Sequence, residues 1–119
     1  MNAQEFVEAI KVIMHAGVSG LIKGIENPPG REPRHKLMRI SEFYNGLTEE
    51  DRRTFQDALE MAAEDGFSSM LLILDGALAI EDGMKGQLEL YYSDGTKRIR
   101  LNDPDEQDYL LNELFRVED

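Results

Sequence analysis

Residues 87–101 read QLELYYSDGTKRIRL, and this stretch decides the fold. Two runs in which apolar and polar residues alternate, QLELYY and KRIRL, flank the turn signal SDGT. Alternation with a period of two is typical of a strand with one buried face, and Asp-Gly between two such runs is a strong hairpin signal. The pattern predicts an antiparallel β-hairpin with strands at about 87–92 and 97–101.

A two-residue turn at Asp94-Gly95 sets the register of this predicted hairpin. The cross-strand partners are then Tyr92 with Lys97, Tyr91 with Arg98, Leu90 with Ile99, Glu89 with Arg100, and Leu88 with Leu101. The aliphatic members share one face, whereas the other face pairs opposite charges and sets Arg98 against the ring of Tyr91. Because an isolated hairpin is marginal in water, we expect helices to bury the aliphatic face.

Upstream of the hairpin, periodicity predicts two helices separated by a loop. The first covers residues 4–25, and three-and-four spacing predicts a buried face made of Phe6, Ile10, Ile13, Met14, Gly17 and Leu21. Its three glycines, at 17, 20 and 24, indicate either a close approach by another helix or an early break. The loop NPPGREP follows at 27–33. The second helix begins after Pro33 and ends at Asn45-Gly46, through a residue that tolerates a left-handed conformation.

A third helical region begins at Thr48, where Asp51 completes a variant of the capping box. Its apolar period continues to Glu81, as one helix or as two helices jointed near Asp65-Gly66. We favour the joint, because a single helix of more than about 30 residues is far longer than the usual 10–14. The run MLLIL at 70–74 fits a helix or a buried strand, and we favour the helix.

The last predicted helix is capped by Asp103, with Pro104 at its first position and Glu106 completing a capping box. Its expected apolar face consists of Tyr109, Leu110, Leu114 and Val117. Together these patterns predict a mainly helical α+β fold, in which four or five helices pack against one antiparallel β-hairpin. The 119 residues, 41% of them hydrophobic, suffice for one domain over 1–119.

Composition excludes several classes of protein. The chain has no Cys, which rules out disulfide scaffolds, thiolate zinc sites and cysteine nucleophiles. The start, MNAQEFVEAI, carries acids where a signal peptide needs bases and an apolar run. The longest apolar stretch, MLLIL, is far short of the roughly 20 residues that span a bilayer. We expect a soluble, cytoplasmic protein that does not bind membranes.

Charge is distributed unevenly along the chain, whose net charge is −11. Residues 1–45 carry six Lys/Arg against five Asp/Glu, whereas residues 46–119 carry seven against nineteen. Such a negative body repels phosphate backbones, so we expect no nucleic-acid binding. The charge serves either solubility through self-repulsion or contact with a basic partner.

Motifs that carry chemistry are missing from the sequence. The two histidines, His15 and His35, form neither an H-E-x-x-H motif nor a pair four residues apart. The chain has no G-x-S-x-G elbow, no phosphate-binding glycine loop, and no match to the calcium-loop template beyond Asp103 and Asp105. We therefore predict no cofactor, no metal and no catalytic residue.

Two groups of residues are candidates for interaction. Asp75 follows the apolar run MLLIL, and Glu81 lies six residues further along. A buried Asp75 would act as a capping acid, pair with a cation of the basic segment, or serve a metal or acid–base role near Glu81. The basic segment comprises Arg31, Arg34, Lys36 and Arg39 against Glu32 alone. It is a solvated surface, an anion site, or a docking surface for the acidic body of this chain or of a second copy.

The stretch LDGALAIEDGMKGQLELYYSDGTKRIRLND at 74–103 resembles a family of small uncharacterised bacterial proteins. The proline-containing loop, the Tyr44–Asp51 stretch with its pattern N-x-L-[ST]-x-x-D, and the short C-terminal helix are similar as well. The resemblance covers most of the chain. It implies a bacterial source and a compact α+β domain, and it implies no activity, cofactor or functional residue.

The function that we expect from the sequence is a non-enzymatic binding or interaction protein with an acidic surface. Its partner is expected to be another protein or a second copy of the chain, giving a homodimer. The alternative is a small carboxylate-dependent enzyme with its site near Asp75 and Glu81. An active site would require a concave pocket in which two or more carboxylates converge with His or Arg.

Overall fold

The computed structural model of the chain describes residues 1–83 and 85–116. These residues form the helices α1 (Ala3–Glu26), α2 (His35–Asn45), α3 (Glu49–Leu74) and α4 (Leu111–Arg116), with the strands β1 (Tyr91–Ser93) and β2 (Arg98–Arg100) between α3 and α4. The two strands pair antiparallel in one sheet. The prediction of a mainly helical α+β fold with one β-hairpin is confirmed.

The chain divides into two compact units. Residues 13–64 form the central unit, and residues 1–12 together with 65–119 form the terminal unit. All of α2 belongs to the central unit, and the hairpin and α4 belong to the terminal unit. The expectation of one domain over 1–119 stays a prediction.

Helix α1 covers the predicted range, but its buried face is shifted and keeps only Met14 of the predicted residues among its fully buried ones. Its buried residues are Ala3, Val7, Met14, Val18 and Ile25. Ile13 and Leu21, which belong to the predicted face, are 61% and 49% exposed. The apolar arc of α1 is wide, so its period alone does not identify the buried centre. The predicted explanation of the glycines is also wrong: α1 runs on to Glu26, and open space surrounds the position of a Cβ at each of the three.

Helix α2 places Tyr44 at the core of the central unit, where it is 2% exposed. Its ring lies 5.5 Å from that of Phe55, and its hydroxyl accepts a 2.7 Å hydrogen bond from the Gln56 amide. The helix ends at Gly46 as predicted, but Gly46 has a φ of −85° and is right-handed. The left-handed conformation predicted there is wrong, since the N–H of Gly46 continues the helical pattern to the carbonyls of Glu42 and Phe43.

Helix α3 is continuous from Glu49 to Leu74, so the joint predicted at Asp65-Gly66 is wrong. One exposed glycine costs a helix about 1 kcal/mol, which the surrounding helix-forming residues offset. The N-terminus is as predicted, because the Thr48 hydroxyl accepts a hydrogen bond from the N–H of Asp51 at 3.2 Å. The run at 70–74 is helical, as favoured.

A Schellman motif ends α3 at Leu74, well before Glu81. Gly76 has a φ of +77°, which a side-chain-bearing residue adopts only at a cost. Its N–H donates to the carbonyl of Ile73 at 3.1 Å, and the N–H of Ala77 donates to that of Leu72 at 2.9 Å. These two bonds satisfy carbonyls that the helix end would otherwise leave without a partner.

The hairpin forms where it is predicted, but its register differs by two residues. The observed partners are Tyr91 with Arg100, Tyr92 with Ile99, and Ser93 with Arg98. The turn is therefore centred on Gly95-Thr96 rather than on Asp94-Gly95. Oδ1 of Asp94 accepts hydrogen bonds from the N–H groups of Thr96 and Lys97, at 2.9 and 3.0 Å. The side chain thus takes the place of a backbone acceptor, and Gly95 supplies the positive φ, +93°, at the first turn position.

A shift of two residues leaves each side chain on its predicted face of the hairpin. The guanidinium of Arg98 accordingly lies 4.1 Å from the ring centroid of Tyr91, which confirms the predicted cation–π contact. Burial of the aliphatic face is uneven, since Leu101 is 2% exposed and Leu88 is 42% exposed. The prediction that Leu88 is buried in a strand is wrong.

The strands are shorter than predicted because the side chain of Asn102 binds the backbone next to them. Its Nδ2 donates to the carbonyls of Leu74 and Leu88 at 2.6 and 2.8 Å, and its Oδ1 accepts the N–H of Leu90 at 2.9 Å. Nε of Arg100 donates to the same oxygen at 3.2 Å. Asn102 is 4% exposed, and these four bonds use the hydrogen-bonding capacity of its carboxamide.

Helix α4 begins at Leu111, later than the predicted start after Asp103. Asp103 instead forms a local turn, accepting the N–H of Asp105 at 3.0 Å. The buried residues of α4 are Leu111, Asn112 and Phe115. Tyr109, part of the predicted apolar face, is 55% exposed, and Val117 lies outside the described residues.

Replacing Asn102 by Ala is expected to lower the free energy of unfolding by roughly 3 kcal/mol, because several buried backbone groups lose their partner. Chemical denaturation monitored by circular dichroism measures the loss. The matched control is Asn27→Ala in the exposed loop, where the expected change is within about 0.5 kcal/mol. Equal stability of the two variants would contradict the role given to Asn102.

Hydrogen bonds from Thr96 and Lys97 lower the pKa of Asp94 from 3.8 to about 2. A carboxyl group whose pKa is lower in the folded chain stabilises the fold above its unfolded pKa, and loses that effect as pH falls through its folded pKa. We therefore expect the turn to weaken between about pH 4 and pH 2. Carboxyl NMR titration should give a midpoint near 2 for Asp94, and a midpoint near 4 would contradict the bonding pattern.

Candidate functional site

A cleft of about 310 Å³ lies in the terminal unit between the end of α3 and the segment that leads into the hairpin. The residues that line it are Ile73, Leu74, Asp75, Gly76, Gly86, Gln87, Leu88, Arg100, Asn102 and Pro104. Its walls combine aliphatic side chains with one carboxylate, one guanidinium and two carboxamides. The Schellman turn places Asp75 and Gly76 in one wall, and Asn102 holds the opposite strand and the 88–90 segment in position.

Asp75 caps helix α4 from a distant part of the chain. Oδ1 accepts the N–H of Leu111 at 2.9 Å, and Oδ2 accepts the N–H of Asn112 at 2.8 Å. The first N–H groups of a helix have no intrahelical acceptor, so a carboxylate at this position stabilises the helix and complements its dipole. Of the roles predicted for Asp75, the structure shows the capping acid.

Buried polar groups beside Asp75 complete the attachment of α4. The Asn112 amide nitrogen donates to the carbonyl and to the hydroxyl of Ser68 in α3. Glu113 accepts a hydrogen bond from the N–H of Leu110 at 3.2 Å, as in a capping box.

Sequence reasoning did not single out Asn102 or Asn112, because an isolated Asn beside apolar residues shows no periodic signal of burial.

Arg100 is the cation of the cleft. Its Nε is bound to Oδ1 of Asn102 at 3.2 Å, which orients the guanidinium plane. Among the described residues, no hydrogen-bond acceptor lies on its two terminal nitrogens. Arg98 lies outside the cleft and stacks on the ring of Tyr91. The hydroxyl of Tyr91 donates a hydrogen bond to Glu89 at 2.8 Å, and this bond is the main reason that the pKa of Tyr91 is raised. The sequence predicted Arg100 only as a cross-strand partner of Glu89.

Glu81 lies outside the cleft, in the exposed turn region after α3. Its Oε1 accepts the N–H of Lys85 at 3.4 Å. The described lining of the cleft therefore includes one carboxylate, that of Asp75, and does not bring Asp75 and Glu81 together. No group of three or more His, Cys, Asp or Glu suited to a metal ion is found within 1–83 and 85–116.

The basic segment lies in the central unit, on the loop before α2 and on its first turns. Arg31, Arg34, Lys36 and Arg39 are all exposed. They form a cationic surface whose function stays a prediction.

Residues 103–108, DPDEQD, form an acidic segment that has four carboxylates and no Lys or Arg. Asp105, Glu106 and Asp108 are exposed. The Gln107 amide nitrogen donates to the Leu101 carbonyl and so ties this segment to the end of the hairpin. The carboxylates are thereby presented at a defined place in the terminal unit.

No family model, no curated protein and no solved structure matches this chain. The resemblance to small bacterial proteins noted in the sequence stays a prediction. Within the described residues, no helix combines the length and the apolar character that a bilayer span requires.

Replacing Asp75 by Ala should destabilise the chain by about 1–2 kcal/mol, because two N–H groups of α4 lose their acceptor. Asp75→Asn keeps one acceptor oxygen and should lose less. Amide hydrogen exchange at residues 111–116 measures the protection of α4 directly. The control is Asp82→Ala, which removes an exposed carboxylate and should leave that protection unchanged. Unchanged protection of α4 in the Asp75→Ala variant would rule out the capping role.

Proposed function

We propose that this chain is a non-catalytic interaction protein whose acidic terminal unit binds a basic protein partner. The observation that carries the proposal is the concentration of charge. The terminal unit has six Lys/Arg against fifteen Asp/Glu, whereas the central unit has seven against nine. The acidic segment adds a local run of exposed carboxylates without an intervening cation.

Exposed charges of one sign mainly change the rate at which a protein associates with its partner. Surface carboxylates gain little from single ion pairs, but together they create a field that raises the encounter rate with a cationic surface. The same field repels nucleic-acid backbones and anionic membranes, so neither belongs to the proposed set of partners. A second copy of the chain has the chemistry of such a partner, because its basic segment offers four exposed cations.

The competing enzyme hypothesis has no specific observation in its favour. Acid–base chemistry by paired carboxylates needs two groups that share one site. The cleft offers Asp75, whose two oxygens already accept backbone N–H groups. A bacterial source and a cytoplasmic location are part of the proposal and rest on the sequence resemblance and the absence of Cys.

The proposal predicts salt-sensitive capture. The immobilised chain should retain basic proteins from a bacterial lysate at low ionic strength and release them by about 1 M salt, where the Debye length is about 3 Å. A variant with Asp105→Asn, Glu106→Gln and Asp108→Asn should lose most of this retention. Mass spectrometry identifies the retained proteins, and sedimentation velocity shows whether the chain also associates with itself.

The matched control neutralises three exposed carboxylates of α3 in the central unit, Asp57→Asn, Glu60→Gln and Glu64→Gln. It removes the same total charge and should keep the retention. Retention that survives 1 M salt, or that falls equally in both variants, would count against an acidic-segment interface.

A further inference from the structure

We propose that the cleft of the terminal unit binds a small organic monocarboxylate, with the ligand's carboxylate on Arg100 and its apolar body against Ile73 and Leu88. This inference does not rest on the proposed function. It concerns a cleft of the same unit, which shares Pro104 with the acidic segment, and a different class of ligand.

The first argument is the open hydrogen-bonding capacity of Arg100. A guanidinium has five N–H donors, and the structure uses one of them within the cleft, Nε–H to Asn102. Asn102 is itself fixed by three further hydrogen bonds, so the guanidinium is oriented before any ligand arrives. Arg100 is half-buried in a chain with 24 Asp/Glu, yet its terminal nitrogens have no acceptor among the described residues.

The second argument is that the polar groups beside Arg100 are already occupied. Both hydrogens of the Asn102 amide are donated, and its oxygen accepts two bonds. Each oxygen of Asp75 accepts a backbone N–H. The guanidinium is therefore the charged group of the cleft that is left to recognise a ligand, and the exposed Gln87 carboxamide lies in the same lining.

The third argument concerns the charge of the ligand. The terminal nitrogens of a guanidinium form two parallel hydrogen bonds to a carboxylate, a geometry that is both strong and specific. One cation balances one negative charge. A dianion such as a phosphate monoester would carry a second charge into a cleft that contains Asp75 and lies in the acidic unit. A monoanion meets less of that repulsion, because Arg100 balances its single charge.

The fourth argument is size and polarity. A volume of about 310 Å³ is at the lower end of the range of roughly 300–1,000 Å³ found for ligand sites. Ile73, Leu74, Leu88 and Pro104 give the cleft an apolar side. Leu88 is 42% exposed, and a bound apolar body would cover it. The class that fits is a short aliphatic or single-ring carboxylate.

The experiment titrates the full-length chain with isovalerate and with benzoate, followed by two-dimensional NMR. Isovaleramide and benzamide are the neutral controls of the same shape, and inorganic phosphate tests a compact multivalent anion. We expect saturable shifts at residues 73–76, 86–88 and 100 with a carboxylate, and no saturation with the amides. Saturable binding of phosphate in preference to both carboxylates would overturn the assigned class.

Arg100→Gln should weaken carboxylate binding by roughly tenfold or more, since charge-assisted hydrogen bonds are lost. The matched control is Arg98→Gln on the same strand, outside the cleft lining, where binding should change less than about twofold. Arg100→Lys keeps the positive charge but loses the pair of parallel N–H donors, and this variant should bind the carboxylate with intermediate affinity. Should Arg100→Gln fail to fold, the Lys variant and the wild-type shift map decide the question. No saturable binding to the wild type, or shifts confined to the basic segment, would refute the site.

Discussion

The carboxamide of Asn102 is the constraint on which the rest of the terminal unit depends. It binds the last carbonyl of α3, two backbone groups of the 88–90 segment, and Arg100 of β2, all from one buried side chain. A buried carboxamide is costly unless each polar atom has a partner, so this position permits one arrangement of the surrounding backbone. The carbonyl of Leu88 and the N–H of Leu90 bind the Asn102 side chain, in the way that backbone groups of one strand bind those of a neighbouring strand. The side chain thus replaces a strand partner, and the hairpin stays short.

Local patterns predicted the elements, whereas tertiary hydrogen bonds decided their details. Periodicity was sufficient for the range of α1 and for the existence of the hairpin, whereas for MLLIL it left helix and strand open and the favoured helix is confirmed. The centre of the turn was wrong by one residue, because the carboxylate of Asp94 accepts two backbone N–H groups itself. The start of α4 was wrong because its cap comes from Asp75, 36 residues away from Leu111, rather than from the neighbouring Asp103. No local pattern carries that information.

In the candidate site, too, local patterns identified some residues, and tertiary hydrogen bonds decided which of them lie together. Asp75 was predictable as a residue of interest, since a carboxylate directly after an apolar run needs partners. Glu81 was grouped with it by closeness in sequence, and the early end of α3 separates them, since Gly76 turns the chain away. Arg100 was not predictable as a cleft residue, because its orientation is set by Asn102, whose burial the alternation of the strand does not predict. The basic segment was recognisable from composition alone, and its four cations are exposed.

The make-up of the terminal unit also bears on how the chain is built during synthesis. Its residues come from both ends of the sequence, 1–12 and 65–119, with all of 13–64 between them. The helix that Asp75 caps has only six residues, too few to be stable in isolation. On the ribosome, the first segment must therefore wait for the last one, and Asp75 has no helix to cap until residues 111–116 have left the exit tunnel. A nascent chain stalled before Leu111 lacks the helix that Asp75 and Ser68 bind in the complete unit.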